Sequence, residues 1–259
     1  MRVFFALIFL LVNFLSIFSI ESFESAGMVV FENPSDLSNS LVYFVMILAF
    51  TALLIFLSKK KFELLPAMIY VLTFLAIFYA LLPYLGLLAL PISFAIMILL
   101  IKKPHWVVVN FSAFLLSVGI ATMFGISLAP LPAIVLLVIL AVYDAVSVYK
   151  TKHMISLAES VSRVNAPMLF VIPWRGEKMM IGVGDIVIPA ILAVSAQKFL
   201  DAPVVAFVKI PALFTILGGT FGLLFLIYLV EKKRGAHAGL PFINSGAILG
   251  FLISQLWKA

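Results

Sequence analysis

Asp185 stands in "MMIGVGDIVIPAIL", residues 179–192, a run otherwise apolar enough to cross a bilayer. A carboxylate at that depth costs roughly 2.5 to 3.5 kcal/mol on insertion scales, so an intramembrane acid is a functional residue by default. Of the eleven acidic residues, Asp144 in "AVYDAVSVY" alone shares the setting. Two ionised carboxylates facing each other in low dielectric repel, and such a pair keeps one proton between them. One member is then a general base toward water and the other a general acid toward a carbonyl, which is hydrolytic chemistry. Gly182 and Gly184, just before the second acid, leave room for an extended backbone or a partner helix to come close. A structural role, with each acid hydrogen-bonded to interior polar groups, is the alternative.

Other chemistries lack their residues. There are no cysteines, which removes disulfides, thiol nucleophiles and thiolate metal sites. No HExxH motif is present, and His105, His153 and His237 are isolated in loops, where solvated side chains are expected. A serine nucleophile within the bilayer therefore has no histidine base. "GGTFG" at 218–222 gives Gly218 and Gly222 a helix-packing spacing and lacks the Lys and Ser of a phosphate loop. No cofactor and no metal are expected.

The elements that must position the acids are membrane helices. The chain has 259 residues, 65% hydrophobic and only 11% charged, too little polar surface for a soluble domain. Nine candidate spans are long enough to cross about 30 Å of hydrocarbon: 3–20, 39–57, 64–82, 84–101, 106–124, 127–148, 180–200, 209–230 and 240–257. The third and fourth are separated only by "LPY" and must form a hairpin. The first 20 residues read as a retained span rather than a cleaved signal, because the apolar stretch is long and no clean cleavage site follows.

Basic residues orient the bundle. Lys59–Lys61, Lys102 with Lys103, the group from Lys150 to Lys178, and Lys232–Arg234 all fall on one side of a nine-span chain. The loop 21–38 carries four acids and no Lys or Arg. The positive-inside rule puts the N-terminus in the cytoplasm and the C-terminus outside. The net charge of +6 thus reflects topology and not nucleic-acid binding. Asp144 precedes the end of span six by about as much as Asp185 follows the start of span seven, roughly 6 to 8 Å below the inner boundary. Between them, Met154, Leu157, Ala158, Val161 and Val164 recur at helical spacing, as in an amphipathic surface helix. Next, "PMLFVIPWRGEKMMIGVG" has two apolar arms about a polar turn, a short β-hairpin or an irregular loop.

With these residues in place, "VYDAV" at 142–146 and "GVGD" at 182–185 resemble the YD and GxGD motifs of presenilin-type intramembrane aspartyl proteases, a family that includes signal peptide peptidases. The nine-span layout matches that family along the whole chain. The resemblance implies Asp144 and Asp185 as the catalytic pair, supported by Tyr143 and by Gly182, Val183 and Gly184. The family's third motif, PAL, opens the last span. A literal Pro211-Ala212-Leu213 begins span eight, on the wrong side. The positional equivalent is "GLPFINSG", so the role passes to Leu240, Pro241 and Phe242, with Phe in place of Ala.

The expectation is an all-α polytopic membrane protein in the cell membrane. It forms a single domain over 1–259, with a scaffold bundle at 1–126 and a catalytic half at 127–259 that includes the cytoplasmic loop 149–179. Its substrates would be transmembrane segments that unwind locally and add as a strand to the hairpin arms. Two rival readings are a proton- or cation-coupled transporter using the paired acids, and a prepilin-peptidase-type GxGD protease. No internal repeat favours the first, and YD on the preceding span disfavours the second.

Overall fold

The computed structural model describes residues 2–60, 64–151, 168–174, 177–233 and 237–256. The surface helix expected over 154–164, with His153, lies outside the described residues. In chain order the helices are α1 (Arg2–Phe18), α2 (Ile20–Ser25), α3 (Ser38–Lys60), α4 (Leu64–Leu85), α5 (Ala89–Lys102), α6 (Trp106–Ser127) and α7 (Pro130–Val146). After a π-helical turn, Ser147–Thr151, come β1 (Leu169–Trp174), β2 (Glu177–Gly182) and α8 (Val183–Phe199). A short hairpin, β3 (Val204–Val205) and β4 (Val208–Lys209), leads to α9 (Ile210–Lys233) and α10 (Leu240–Leu256).

Among the described residues, five helical runs are long and apolar enough to cross a membrane: Ser38–Leu57, Pro66–Lys102, Trp106–Ser127, Pro130–Lys150 and Ile210–Lys232. α1 and α10 are shorter apolar helices. The run Pro66–Lys102 is folded back on itself. Phe74 and Phe94 stack edge to face with centroids 5.7 Å apart, whereas twenty residues of straight helix would separate them by about 30 Å. The reversal falls at Gly86, in the left-handed region at φ 53°, and not at "LPY" as the sequence suggested. Pro83 lies inside the last turn of α4, so the glycine sets the bend.

α8 is the centre of the bundle. Val187, Ala190, Ile191, Leu192, Ala193, Val194 and Ala196 are all buried, as expected of a helix apolar on every side. α1, α6, α7, α9 and α10 pack around it. By contrast, α3, α4 and α5 leave Val45, Met46, Phe56, Val71 and Phe94 exposed, which suits contact with lipid. α9 and α10 touch backbone to backbone: a Cβ added to Gly218 would fall on the Gly246 carbonyl, and one on Gly222 on the Phe242 carbonyl. Small residues permit this close approach, and the van der Waals packing it allows helps drive helix association in lipid. At the start of α3, Asp36 Oδ1 accepts the Ser38 N–H at 2.8 Å, which holds its carboxyl below the usual range.

Candidate active site

Each acid sits at the end of a helix. Asp144 is the third residue from the end of α7 and Asp185 the third from the start of α8. α8 begins three residues later than the expected span, because β2 runs on to Gly182. The chain from hairpin to helix therefore delivers Asp185 directly from an extended strand. Asp144 is buried and Asp185 half-buried.

The start of α10 lies between them. The Leu240 N–H donates to Asp144 Oδ2 at 3.1 Å. As the first residue of α10, Leu240 has no partner for that N–H within its own helix, so the carboxylate satisfies an orphan donor and meets the positive end of the helix dipole. Gly239, one residue earlier, lies against the other acid. A Cβ there would stand 2.6 Å from Asp185 Oδ1, 2.7 Å from Cγ and 2.8 Å from Oδ2. One peptide unit thus lies against both carboxylates.

The other residues expected at the site take different places. A Cβ on Gly182 would be 3.3 Å from Asp185 Oδ2, while Gly184 faces open space. Val183 is buried in the core, its N–H donating to Met168 O at 3.0 Å. Tyr143 turns toward α3, with its ring edge-on to Phe44 at 6.0 Å. Pro241 is half-buried. Phe242 packs on Phe225 of α9, with ring centroids 5.7 Å apart, so the bulky replacement for Ala fills an interhelical contact. The literal Pro211-Ala212-Leu213 is remote: Phe214, just beyond it, packs beside Gly250, about 15 Å along α10 from Leu240.

Three residues outside that expectation shape the site. Gly239 is one. Asn244, one turn beyond Leu240, is buried and donates Nδ2–H to the Leu137 carbonyl of α7 at 2.9 Å, tying the start of α10 to the helix that carries Asp144. Asn110 of α6 bonds to β1, donating to the Val171 carbonyl and accepting the Val171 N–H, each at 2.8 Å. The sequence signal for both asparagines is an uncharged amide inside an apolar run, where polar side chains seek partners on other helices. Of the histidines, His105 is exposed in a loop as expected and His237 departs from that reading. His105 caps α6, its Nδ1 accepting the Val107 N–H at 3.4 Å. His237 Nε2 is buried, with no partner among the described residues.

The hairpin edges follow from the register. β1 and β2 are antiparallel, with Phe170 opposite Ile181 and Val171 opposite Met180. Phe170, Ile172 and Ile181 are buried and hold one face of the sheet on the core. The Val183-to-Met168 bond marks that pair as hydrogen-bonded, so alternate pairs along the ladder are too. Val171 and Met180 then form a non-hydrogen-bonded pair whose N–H and C=O groups point outward, as do those of Leu169 with Gly182 and Pro173 with Lys178. On the β1 side Asn110 takes the Val171 groups. On the β2 side no described group takes those of Met180, and the edge runs through Gly182 toward Asp185.

A family model described as signal-peptide peptidase, presenilin aspartyl protease matches residues 6–176 and 175–259. A presenilin family intramembrane aspartate protease solved in the C222 space group is 36% identical, covering 99% of this chain and 99% of its own, with a TM-score of 0.77. A presenilin family intramembrane aspartate protease solved in the P2 space group is 37% identical over 97% of this chain and 96% of its own, with a TM-score of 0.74. No curated protein matches the chain.

Proposed function

The chain belongs to the signal-peptide peptidase and presenilin family of aspartyl proteases, and we propose that it hydrolyses peptide bonds of transmembrane segments with Asp144 and Asp185 as the catalytic pair. It is a multi-pass membrane protease; the assignment of roles to residues is our reading. The observation that carries it is the Gly239–Leu240 peptide lying against both carboxylates. This contact brings three sequence segments, "VYDAV", "GVGD" and "GLPF", to one point.

In this mechanism the two acids share one proton. The ionised member takes a proton from water as that water attacks the scissile carbonyl, and the protonated member donates to the carbonyl oxygen. Leu240 N–H holds Asp144 in place, and Gly184 leaves open space for substrate beside Asp185. Gly182 lies beside Asp185, while Tyr143, Val183, Pro241 and Phe242 act only through the helix ends that carry the acids and Leu240, Tyr143 packing on α3 and Phe242 on α9. A helical substrate hides its carbonyls in internal hydrogen bonds and must unwind to react. The unwound segment gains replacement bonds by adding as a strand to the outer edge of β2, next to the Met180 and Gly182 backbone. In this reading the N-terminus is cytoplasmic, the C-terminus is outside and the cut falls near the cytoplasmic end of the substrate, an orientation that the basic loops support.

The deciding experiment compares Asp144→Ala and Asp185→Ala with the natural chain on a model transmembrane substrate in liposomes. Both variants are expected to keep their thermal transition and lose cleavage. Undiminished cleavage by either would end the proposal, and retained proteolysis with abolished proton uptake would favour the transport reading.

A further inference from the structure

One strand of the β1–β2 hairpin has its outer edge closed by a side chain. Asn110, 8% exposed on α6, makes both of its amide bonds to the main chain of Val171 at 2.8 Å. These are the two bonds that a neighbouring strand would make at that position. An amide side chain can do this because it carries a donor and an acceptor with the geometry of a peptide group. The next outward-facing residue of β1, Pro173, has no N–H to offer a strand. Across the hairpin, the outward groups of Met180 meet no described partner. The two edges are chemically unequal, and a single residue on a different element makes them so.

We propose that Asn110 is a positioning residue for proteolysis, which closes the β1 edge to substrate and holds the hairpin, and with it the β2 edge, in one place against α6 beside the acids. The inference rests on the reading above, in which substrate adds to the hairpin as a strand. A strand paired at Met180 is held only five residues of chain from Asp185. Sliding the pairing by two residues presents a different peptide bond to the acids, because like-facing positions repeat with period two. The hairpin contacts α6 through β1, and the Asn110 amide is the directional part of that contact. Without it the sheet keeps its apolar face on the core, but its placement on α6 loses its polar lock.

The test uses the full chain with Asn110→Leu, which keeps the volume and removes both bonds. Amide exchange of β1 in the resting protein reads the lock itself, and the Val171 N–H is expected to exchange faster. Cleavage of a model transmembrane substrate is expected to lose about tenfold in kcat/KM, mainly through KM. The products, read by mass spectrometry, are expected to spread over neighbouring peptide bonds. If the leucine variant fails to fold, Asn110→Ser, smaller and still polar, is read in the same way. Faster exchange with natural kcat/KM and natural products overturns the proposal. A loss of kcat with unchanged products overturns it as well, since a purely structural residue behaves so. The underlying reading fails separately, by cleavage surviving Asp144→Ala or Asp185→Ala.

Discussion

Gly239 lies where the Asp185 carboxylate leaves no room for a side chain: a Cβ on Gly239 would stand 2.6 Å from Oδ1 and 2.7 Å from Cγ. Real Cβ contacts do not come so close, so Gly239→Ala must displace either the carboxylate or the start of α10. Both movements pull the Leu240 N–H and Asp185 out of their common geometry. The expected result is a fall in kcat of about a hundredfold, since a misplacement of about 1 Å costs that much in an oriented site. KM is expected to change little, and the thermal transition to shift by only a few degrees. Kinetics on a membrane substrate check this, and natural kcat would show that Gly239 is incidental.

Asn244 ties α10 to α7 through the Leu137 carbonyl at 2.9 Å. Asn244→Leu keeps the volume and removes the bond. Interhelical hydrogen bonds in membranes average about 0.6 kcal/mol, with a maximum near 1.7, so the loss of stability is expected in that range. Activity is expected to fall further than stability predicts, because the bond lies one turn from the Leu240 contact with Asp144. Comparing thermal unfolding with kcat separates the two effects.

Two glycine substitutions are expected to have opposite consequences. Gly246→Val would press a side chain on the Gly218 carbonyl across the α9–α10 interface. Backbone cannot yield there, so destabilisation of about 1 to 3 kcal/mol or more is expected, with loss of activity. Gly184→Ala adds a methyl group into open space beside Asp185. It is expected to fold normally and, under the proposed substrate route, to raise KM by narrowing the space beside Asp185. A lowered thermal transition for the second variant would contradict the open space.

The acids were legible because an ionisable group in an apolar run is conspicuous without any partner. Their placement at facing helix ends followed from the span pattern, as did the apolar arms that form β1 and β2. Gly239 and Asn110 were not legible. Gly239 matters through Asp185, 54 positions away, and Asn110 through Val171, 61 positions away, and no local spacing encodes such meetings. The turn between α4 and α5 misled for a different reason. Proline was read as the boundary, but Pro83 fits the last helical turn and the left-handed backbone at Gly86 does the reversing. Phe242 was judged from residue type and position, whereas its place is decided by Phe225, the ring it meets on α9.

Met180 offers a test of which hairpin edge receives substrate. Its N–H points away from β1, because Val171 opposite it belongs to a non-hydrogen-bonded pair. A proline at such a position removes a donor that the hairpin does not use. Pro173, which occupies the equivalent kind of position on β1, shows that the sheet accommodates the ring. Met180→Pro is therefore expected to leave the hairpin paired, with amide exchange at Phe170 and Ile181 unchanged. Cleavage of a transmembrane substrate is expected to fall at least about tenfold, since an incoming strand loses one backbone bond and meets the ring. Met180→Leu, which keeps the N–H, is expected to cleave normally. If the proline variant cuts as well as the natural chain with its hairpin intact, substrate does not pair at the β2 edge, and the route to the acids lies elsewhere.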